Sequence, residues 1–464
     1  MELEAAKQLA LKYNALHEMR VGRIMKAMAY YAGDNDILHR KPRKDCVEEE
    51  GAQPLRNADN RIAFNFHALL VNQKASYLFT APPLFDVGNK ADNERIADIL
   101  GDGAAKKEKD LCVDASNAGV GWVHYWKDEA GNFQWYPVPA VEIYPIYTDN
   151  LEKKLRAVLR MYRTVDDNGE EWKIYEFWND QECEAYRQKS DVFLPYDMFD
   201  TATIDLSGPS NVYRHGLGAV PFIPFYNNNL GASDLDKIKA LCDAYDKTFS
   251  GFVDDLEDIQ EVILVLTNYG GQDLKELLHD MKYFKAIQVD STGDGDKSGV
   301  STLTIDIPVE ARKELLDQTR KAIFDIGQGV DPQQQGFDKT SGEAMKFLYS
   351  LLELKSGLME TEFRLGFAEL VRAICRNSGM AEPKQIIQTW TRTAIRNNAE
   401  LSSICQQSVG IVSAKTILKH HPFVDNVEEE MKELAKEKET AAKEAEEYGN
   451  AFGKKQPQEG GEEE

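Results

Sequence analysis

The sequence is poor in cysteine, contains no long hydrophobic run and has no excess of positive charge. Its 464 residues include six cysteines, and none of these forms a Cys-x-x-Cys pair. Scattered cysteines of this kind predict buried thiols in a reduced, cytosolic protein. No apolar stretch approaches the roughly 18 residues that a membrane-spanning helix needs, and the first residues lack the apolar centre of a secretion signal. We therefore expect no membrane association.

The charge balance is strongly acidic. The chain carries 55 Lys and Arg against 78 Asp and Glu, which gives a formal net charge of −23. Proteins that grip nucleic acid tightly present a basic surface to the phosphates, and anionic membranes also attract basic segments. The composition therefore argues against tight binding to either. Charged residues at 29% and hydrophobic residues at 42% are ordinary for a folded protein with a sizeable core.

Within the first half of the chain, the spacing of the hydrophobic residues changes from one typical of helices to one typical of strands. Apolar residues at helical spacing predict helices over residues 2–32 and 61–79. Over residues 119–191 the pattern is strand-like and rich in aromatic residues, with turn signals at 128–132 and 166–169. This pattern predicts an antiparallel β-layer whose aromatic residues form a core rather than a ligand cage.

A long helix is predicted over residues 233–266, with Ser233 as its N-cap. On a helical wheel most of its acidic residues fall on one stripe, opposite an apolar face. The stripe consists of Asp243, Asp246, Asp254, Glu257, Asp258 and Glu261. Such a stripe is most often a solvated face, and the alternative is a surface that repels DNA. The helix alone leaves both interpretations open.

The second half of the chain places a long polar loop between two helices. A small mixed insertion over residues 267–306 precedes a helix over 309–326. Residues 327–340 then form a loop rich in Gly and Gln, and a loop of this length inside a compact domain tends to be functional. Thr340 is the predicted N-cap of the long helix that follows. The chain ends in a Glu-rich tail over 428–464.

No arrangement of residues typical of catalysis stands out. Residues 294–305 begin like a calcium loop, but the twelfth position holds Ile305 instead of Glu. His420 and His421 have no Cys or carboxylate at metal-ligand spacing. The acidic stripe sits on one helix, without the carboxylate-bearing strands that a two-metal nuclease site would need. We therefore predict no catalytic residue, no metal site and no cofactor.

Short motifs in a fixed order connect the chain to a known family. They are Tyr30-Tyr31-Ala32-Gly33 with Ile37, Asn60-Arg61-Ile62 with Asn65-Phe66, residues 71–78 with Pro82-Pro83, residues 221–227, 233–239 and 243–246, Asp306-Ile307-Pro308, Gly327-Gln328-Gly329, residues 341–344, 410–413 and 422–425. On this ordered set the chain resembles the portal proteins of tailed double-stranded DNA bacteriophages, of the long-tailed type. The resemblance covers residues 20–430.

The resemblance implies an α+β, mainly α subunit of the portal type. Such a subunit has an α/β wing, a two-helix stem, a small α/β clip insertion, a long kinked helix and a helical crown. The implied segments are 1–228 (wing, with N-terminal helices and an antiparallel β-layer), 229–266 (stem helix), 267–308 (clip), 309–326 (second stem helix), 327–342 (tunnel loop), 343–380 (long wing and crown helix), 381–427 (crown) and 428–464 (acidic tail, partly disordered).

The resemblance also implies a function without catalysis. About twelve copies would form a ring at the unique capsid vertex of a virion assembled in the bacterial cytoplasm, as the conduit for genome packaging and ejection. The implied partners are double-stranded DNA, the terminase large subunit, a head-completion adaptor, and the major capsid and scaffolding proteins. The acidic stripe would face the channel and repel phosphates. The tunnel-loop residues implied to face DNA are Val330, Gln333, Gln334, Gln335 and Lys339.

Two other functions are alternatives at this point. The first is another head–tail connector or capsid structural protein, although adaptors are generally much shorter than this chain. The second is a metal-dependent nuclease, which would use Asp254, Glu257, Asp258 and Glu261. An enzyme is not expected, because no partner residues for such a site are evident.

Overall fold

A computed structural model describes most of the chain. It describes residues 2–41, 58–197, 210–258, 263–267, 299–303, 308–333, 349–392, 398–424 and 427–452. The chain divides into two compact units, one made of residues 1–332 and 349–392 and the other of residues 333–348 and 393–464. Within the described ranges, no helix is both long enough and apolar enough to cross a bilayer.

Four helices open the first unit. Their bounds are α1 (Leu3–Tyr31), α2 (Phe66–Leu78), α3 (Lys90–Leu100) and α4 (Ala104–Ala118). The prediction of α1 is confirmed. The predicted helix 61–79 begins later, because the Asn65 side chain caps it by accepting a hydrogen bond from the N–H of Ala68. The backbone of residues 60–64 instead forms hydrogen bonds with side chains of a helix later in the chain.

The predicted antiparallel β-layer is confirmed. Its strands are β2 (Val120–Lys127), β3 (Phe133–Val138), β4 (Ile143–Tyr147), β5 (Leu155–Val165), β6 (Glu171–Trp178), β7 (Glu182–Lys189), β8 (Val192–Pro195), β9 (Val212–Arg214) and β10 (Phe222–Tyr226), with β1 (Leu84–Asp86) preceding them. One sheet has the order β10-β2-β3, and the other has the order β4-β5-β6-β7-β8 with β9 paired to β7.

Both predicted turns connect neighbouring strands. The Asp128 carboxylate accepts the N–H of Asn132, and Gly131 has a φ of 81°. The Asp166 carboxylate accepts the N–H groups of two later residues, and Gly169 has a φ of 79°. Positive φ angles of this size favour glycine, so the local sequence fixes where each hairpin reverses.

The next helix is shorter than predicted. Helix α5 spans Leu235–Asp258, with the Ser233 hydroxyl accepting the N–H of Leu235 as predicted for the cap. Beyond it, β11 (Ile263–Thr267) pairs antiparallel with β12 (Gly299–Leu303). The prediction that the helix reaches residue 266 is therefore wrong. The run Ile263–Thr267 consists of β-branched and aliphatic residues without a charge, a composition that favours a strand.

Two further helices complete the first unit. Helix α6 spans Val309–Gly327 and confirms the predicted helix 309–326, while α7 spans Ser350–Asn377. Strand β13 (Ile387–Thr389) pairs with β1. The predicted cap Thr340 lies outside the described residues. The apolar face of α7 enters the largest core, where its fully buried side chains include Met359, Phe363, Phe367, Leu370, Val371 and Ile374.

One glycine of α7 marks a close approach to the sheet. A Cβ added at Gly366 would lie 2.6 Å from the ring of Phe225 in β10. No side chain larger than hydrogen fits there, so the helix packs directly against the strand. The described cysteines are also part of the packing. Five of them, Cys112, Cys183, Cys242, Cys375 and Cys405, are free and buried, and Cys46 lies outside the described residues.

The described part of the second unit is mainly helical. It contains α8 (Asn398–Gln407), α9 (Ala414–His420) and α10 (Val427–Phe452). The Ser413 side chain caps α9 by accepting the N–H of Thr416. Helix α10 therefore occupies the first part of the predicted acidic tail. Residues 453–464 lie outside the described residues.

Candidate functional site

Two carboxylates of the acidic stripe on α5 are covered by the N-terminal part of the same chain. Asp246 and Asp254 are 0% and 2% exposed. Their carboxylates accept hydrogen bonds from residues 58–64, which we call the strap. The strap precedes α2 and lies along α5.

The strap and α5 bind each other in matched register. Three backbone N–H groups at alternate strap residues donate to side chains spaced four residues apart on the helix. The pairs are Phe64 to Asp246 (2.9 Å), Ile62 to Ser250 (3.0 Å) and Asn60 to Asp254 (2.6 Å). Four helical residues rise about 6 Å and two extended residues span about 6.6 Å. The two periods nearly coincide, which explains why consecutive bonds can form.

The first turns of α5 carry an ionic network with the end of α1. The Tyr30 hydroxyl donates to the carboxylate of Asp243, and the Lys239 ammonium lies 2.7 Å from Asp243 and 2.6 Å from Asp36. Burial and the bond to Asp243 raise the pKa of the Tyr30 hydroxyl. Burial alone would raise the pKa of Asp36, but hydrogen bonds from Lys239 and Lys26 lower it to about 2.

The sequence prediction of one solvated, channel-facing stripe is therefore wrong for Asp246 and Asp254. Both carboxylates are enclosed within the subunit, and burial raises the pKa of Asp246. Asp243 is part of the ionic network just described. Glu257 is exposed and accepts a bond of 2.9 Å from the Asn60 amide. The remaining two stripe residues are the helix end Asp258, whose side chain is not described, and Glu261, which lies outside the described residues.

The same contacts bear on the nuclease alternative. The buried Asp254 carboxylate accepts both the backbone N–H and the side-chain amide of Asn60. Within the described part of the chain, no three His, Cys, Asp or Glu residues are grouped so that they could hold a metal ion. The role that the structure gives Asp254 is to hold the strap.

The start of the predicted tunnel loop is packed against α2. Val330 is 7% exposed, its N–H donates to Gln73 Oε1 at 3.0 Å, and its carbonyl accepts from Gln73 Nε2 at 2.7 Å. The expectation that Val330 contacts DNA is therefore wrong, because its side chain is buried. Gln333 is exposed. The predicted contacts Gln334, Gln335 and Lys339 lie outside the described residues.

Two glycines allow this approach. A Cβ added at Gly327 would lie 2.6 Å from a methyl group of Leu70, and one added at Gly329 would lie 2.1 Å from another. Between them, Gln328 has a φ of 54° and ends α6 in the left-handed region. The Arg320 guanidinium then makes two bonds, of 2.9 and 2.7 Å, to the carboxylate of Asp331. Contacts with α2 on one side and with Arg320 of α6 on the other therefore hold residues 327–331 in place.

A buried ionic cluster lies beside the loop start. Asp234 accepts from the ammonium of Lys74 at 2.6 Å, and its carboxylate lies 3.0 Å from the ammonium of Lys355. Lys74 also donates to the amide oxygen of Asn227, and Lys355 donates to the carbonyl of Gly327 at 2.9 Å. Burial alone would raise the pKa of Asp234, but the two ammonium charges hold it well below its usual range. Burial lowers the pKa of Lys355.

Sequence reasoning missed both lysines. They carry a signal that could have found them, because each interrupts an otherwise apolar helical face. Lys74 lies among Val71, Ala75 and Leu78 on α2, and Lys355 lies between Leu352 and Met359 on α7. A charged residue on a buried face requires a partner. The sequence does not show that Asp234 is the common one.

Comparison with known proteins identifies the family. The family described as "Phage portal protein, SPP1 Gp6-like" matches residues 11–444. A portal protein of Clostridium phage phiCD119 is 40% identical over 442 residues, which cover 92% of this chain and 95% of that protein. The portal protein of Bacillus phage SPP1 is 31% identical over 465 residues, which cover 94% of this chain and 88% of that protein.

Solved structures show a more distant likeness. The neck of an empty GTA particle computed with C6 symmetry has a TM-score of 0.41 and 11% identity. The neck of a native GTA particle computed with C12 symmetry has a TM-score of 0.39 and 12% identity. Each comparison covers 76% of this chain and 88% of the other. Because the family match extends over nearly the whole sequence, the chain belongs to the SPP1 Gp6-like family of phage portal proteins.

Proposed function

We propose that copies of this chain form a closed ring at the unique vertex of a phage capsid, and that DNA enters and leaves through its centre. Family membership over residues 11–444 is the observation that carries this proposal. A ring of about twelve subunits needs heterologous contacts whose rotation closes. The ring is assembled in the bacterial cytoplasm, becomes part of the virion, and performs no catalysis of its own.

The same proposal assigns each part of the chain to a region of the ring subunit. The helices and sheets before residue 229 form the wing, α5 and α6 form the stem, and the β11–β12 pair belongs to the clip. The clip receives the terminase large subunit during packaging and a head-completion adaptor afterwards. Residues 343–427 contribute the long wing and crown helix and the crown, which meet the capsid and scaffolding proteins.

The channel wall that we propose differs from the one that the sequence suggested. Asp246 and Asp254 face the strap, so they do not line the channel. The residues that we keep for the channel are the exposed Glu257 with Asp258 and Glu261 and, from the loop, Gln333, Gln334, Gln335 and Lys339. Uncharged amides in contact with DNA create no deep electrostatic wells, and a chain with a net charge of −23 repels phosphates overall. Both properties favour a duplex that slides.

Electron microscopy of the concentrated, purified chain tests this proposal. We expect end-on views of a ring with an aperture wide enough for duplex DNA, and a native mass about twelve times the 52.4 kDa of one chain. A dilute sample can contain unassembled monomers, so a concentration series is needed. Solitary particles at every concentration, or a ring with a closed centre, would contradict the proposal.

A further inference from the structure

Helix α7 is apolar on two opposite sides. One side enters the largest core through Met359, Phe363 and Phe367. The other side carries a line of exposed residues at steps of four, three and four, which we call the leucine line. It consists of Leu354, Leu358, Thr361 and Leu365. Its three leucines are 57–68% exposed, although a surface helix normally turns a polar side to water. The leucine line therefore has the composition of a contact surface.

Helix α1 carries a second exposed apolar line, which we call the methionine line. It consists of Leu11, Ala15, Met19, Gly22 and Met25. Met19 is 76% exposed and Met25 is 52% exposed. A Cβ added at Gly22 would meet nothing within 4 Å, so another surface can approach α1 closely at that point. At 1.5 Å per residue the methionine line is about 21 Å long and the leucine line is about 16.5 Å long.

Helix α4 lies between the helices that carry the two lines. The Cys112 Sγ on α4 lies 3.4 Å from Met359 Sδ on the buried side of α7. Asp110 and Asp114 lie about 160° around α4 from Cys112. Burial and the charges of these two carboxylates raise the pKa of Tyr31 at the end of α1. Helices α1 and α7 therefore pack on different sides of α4, and the two lines lie on different flanks of one compact unit.

We propose that the leucine line of one copy of this chain packs on the methionine line of the next copy. A patch that pairs with itself gives a two-fold dimer, whereas two unlike patches on one unit give head-to-tail contacts that can close into a ring. The place of this contact in a ring rests on the proposed function, but the contact between two copies does not.

The charge of the chain favours an apolar contact of this kind. Each copy carries a formal net charge of −23, so two copies repel each other at a distance. The leucine line contains no charged residue, so its burial strips water from no charge. The flexible side chains of Met19 and Met25 can adapt to the shape of the leucines. Stable contacts between identical subunits are typically more hydrophobic than transient ones.

Cross-linking of variants that each add one exposed thiol tests the contact. Met19→Cys and Leu358→Cys are made with Cys46→Ser, and the other five native cysteines are buried. A short bismaleimide is added to each variant alone and to a 1:1 mixture. Because the contact joins unlike sites, we expect at least about tenfold more cross-linked pairs in the mixture than in either variant alone. No excess of pairs in the mixture would overturn the proposal.

Lys109→Cys on α4 is the matched control for this experiment. Lys109 is exposed and belongs to neither line. A mixture of Lys109→Cys with Leu358→Cys should give no more pairs than either variant alone. If it gives as many pairs as the mixture with Met19→Cys, the cross-links report random collision and the proposal is overturned.

Assembly of the full-length chain measures the contribution of each line. Leu358→Gln and Met19→Gln replace exposed side chains, so the melting temperature of the dilute chain should stay the same. We expect the concentration at which half of the chain is assembled to rise at least about tenfold in each variant, and to stay unchanged in Lys109→Gln. Unchanged assembly of both line variants would overturn the proposal.

The two experiments separate this contact from the proposed function. Rings of the wild-type chain without cross-linked pairs in the mixture would overturn the contact and leave the proposed function standing. Cross-linked pairs from a chain that forms no ring at any concentration would overturn the proposed function and support the contact.

Discussion

The backbone N–H of Asn60 donates a hydrogen bond of 2.6 Å to the buried carboxylate of Asp254, across 194 residues of sequence. This bond changes the interpretation of the helix that carries Asp254. A stripe of acidic residues on α5 serves in part as a row of acceptors for another segment of the same subunit. The strap needs such acceptors because its backbone N–H groups enter the interior without a β-partner.

Asp254→Ala tests the strap. The substitution leaves the N–H of Asn60 buried without an acceptor, which we expect to destabilise the chain by about 1–3 kcal/mol. Lys247→Ala, on the same helix and exposed, should have little effect. Thermal unfolding of both variants beside the wild type measures the difference. Equal melting temperatures for the two variants would show that the strap contributes no stability through this bond.

The helices and the β-layer could be predicted because their signals are local. Hydrophobic period, the cap at Ser233 and the turns at Gly131 and Gly169 are all fixed by neighbours in sequence. The residues that cover a helix, in contrast, can lie far from it in the sequence, so local signals do not reveal them. The helical wheel placed Asp246 correctly on one stripe. Its carboxylate, however, accepts hydrogen bonds from Phe64 and Asn35, which lie 182 and 211 positions away in the sequence. The Val330 contact with Gln73 spans 257 positions, and nothing in either local sequence indicates it.

Asp234→Asn tests the buried ionic cluster. The substitution leaves two buried ammonium groups without their counter-charge, and we expect a loss of about 3–5 kcal/mol at pH 7. The pKa of Asp234 is depressed in the folded chain, so its contribution is present above the unfolded carboxyl pKa and declines as the pH falls below it. Urea unfolding at pH 7 and pH 3 should therefore show a large difference from wild type at pH 7 and a smaller one at pH 3.

Asp236→Asn is the matched control for that experiment. Asp236 lies two residues away in the first turn of α5 and is exposed. Its carboxylate accepts the N–H of Ser233 at 3.2 Å. A loss at pH 7 as large as that of Asp234→Asn would assign the effect to the helix terminus rather than to the cluster.

Because of the buried Glu108 on α4, we expect an unusual pH dependence of the free energy of unfolding. The side chain is 1% exposed, its Oε2 has no hydrogen-bond partner among the described residues, and burial raises its pKa from 4.5 to about 7. As the pH rises, the Glu108 carboxyl group loses its proton in the unfolded chain at a lower pH than in the folded chain. The stabilising contribution is therefore complete below pH 4.5 and is lost as the pH rises through 7.

Glu108→Gln removes this titration without changing the shape of the side chain. Compared with wild type, the variant should gain stability between pH 5 and pH 8, by at most about 3 kcal/mol. Urea unfolding at both pH values measures the gain, and the exposed Glu94→Gln on α3 serves as control. If the wild-type and Glu108→Gln curves stay parallel over this range, burial does not shift the titration of Glu108.

Gly329→Ala tests the close packing at the start of the tunnel loop. The new methyl group would lie 2.1 Å from a methyl group of Leu70 and 2.9 Å from Gln73 Oε1, so these side chains would have to move. We expect a loss of about 1–3 kcal/mol, typical of overpacking. Gly357→Ala is the contrasting substitution, because its Cβ meets nothing within 4 Å on α7 and alanine favours the helix. It should stabilise the chain, and a similar loss in both variants would contradict the packing described here.

Gln333→Lys tests the channel assignment through its dependence on salt. If the loop faces DNA, about twelve added ammonium groups would create phosphate contacts that slow the duplex. Packaging by rings of this variant should be slower than wild type at low salt and should recover as salt is raised, because each contact releases counterions. Gln333→Ala, which adds no charge, should package at any salt like the wild type. Gln8→Lys, which adds the same single positive charge at an exposed position on α1, controls for net charge. A Gln333→Lys defect that is independent of salt, or that Gln8→Lys reproduces, would remove the loop from the channel wall.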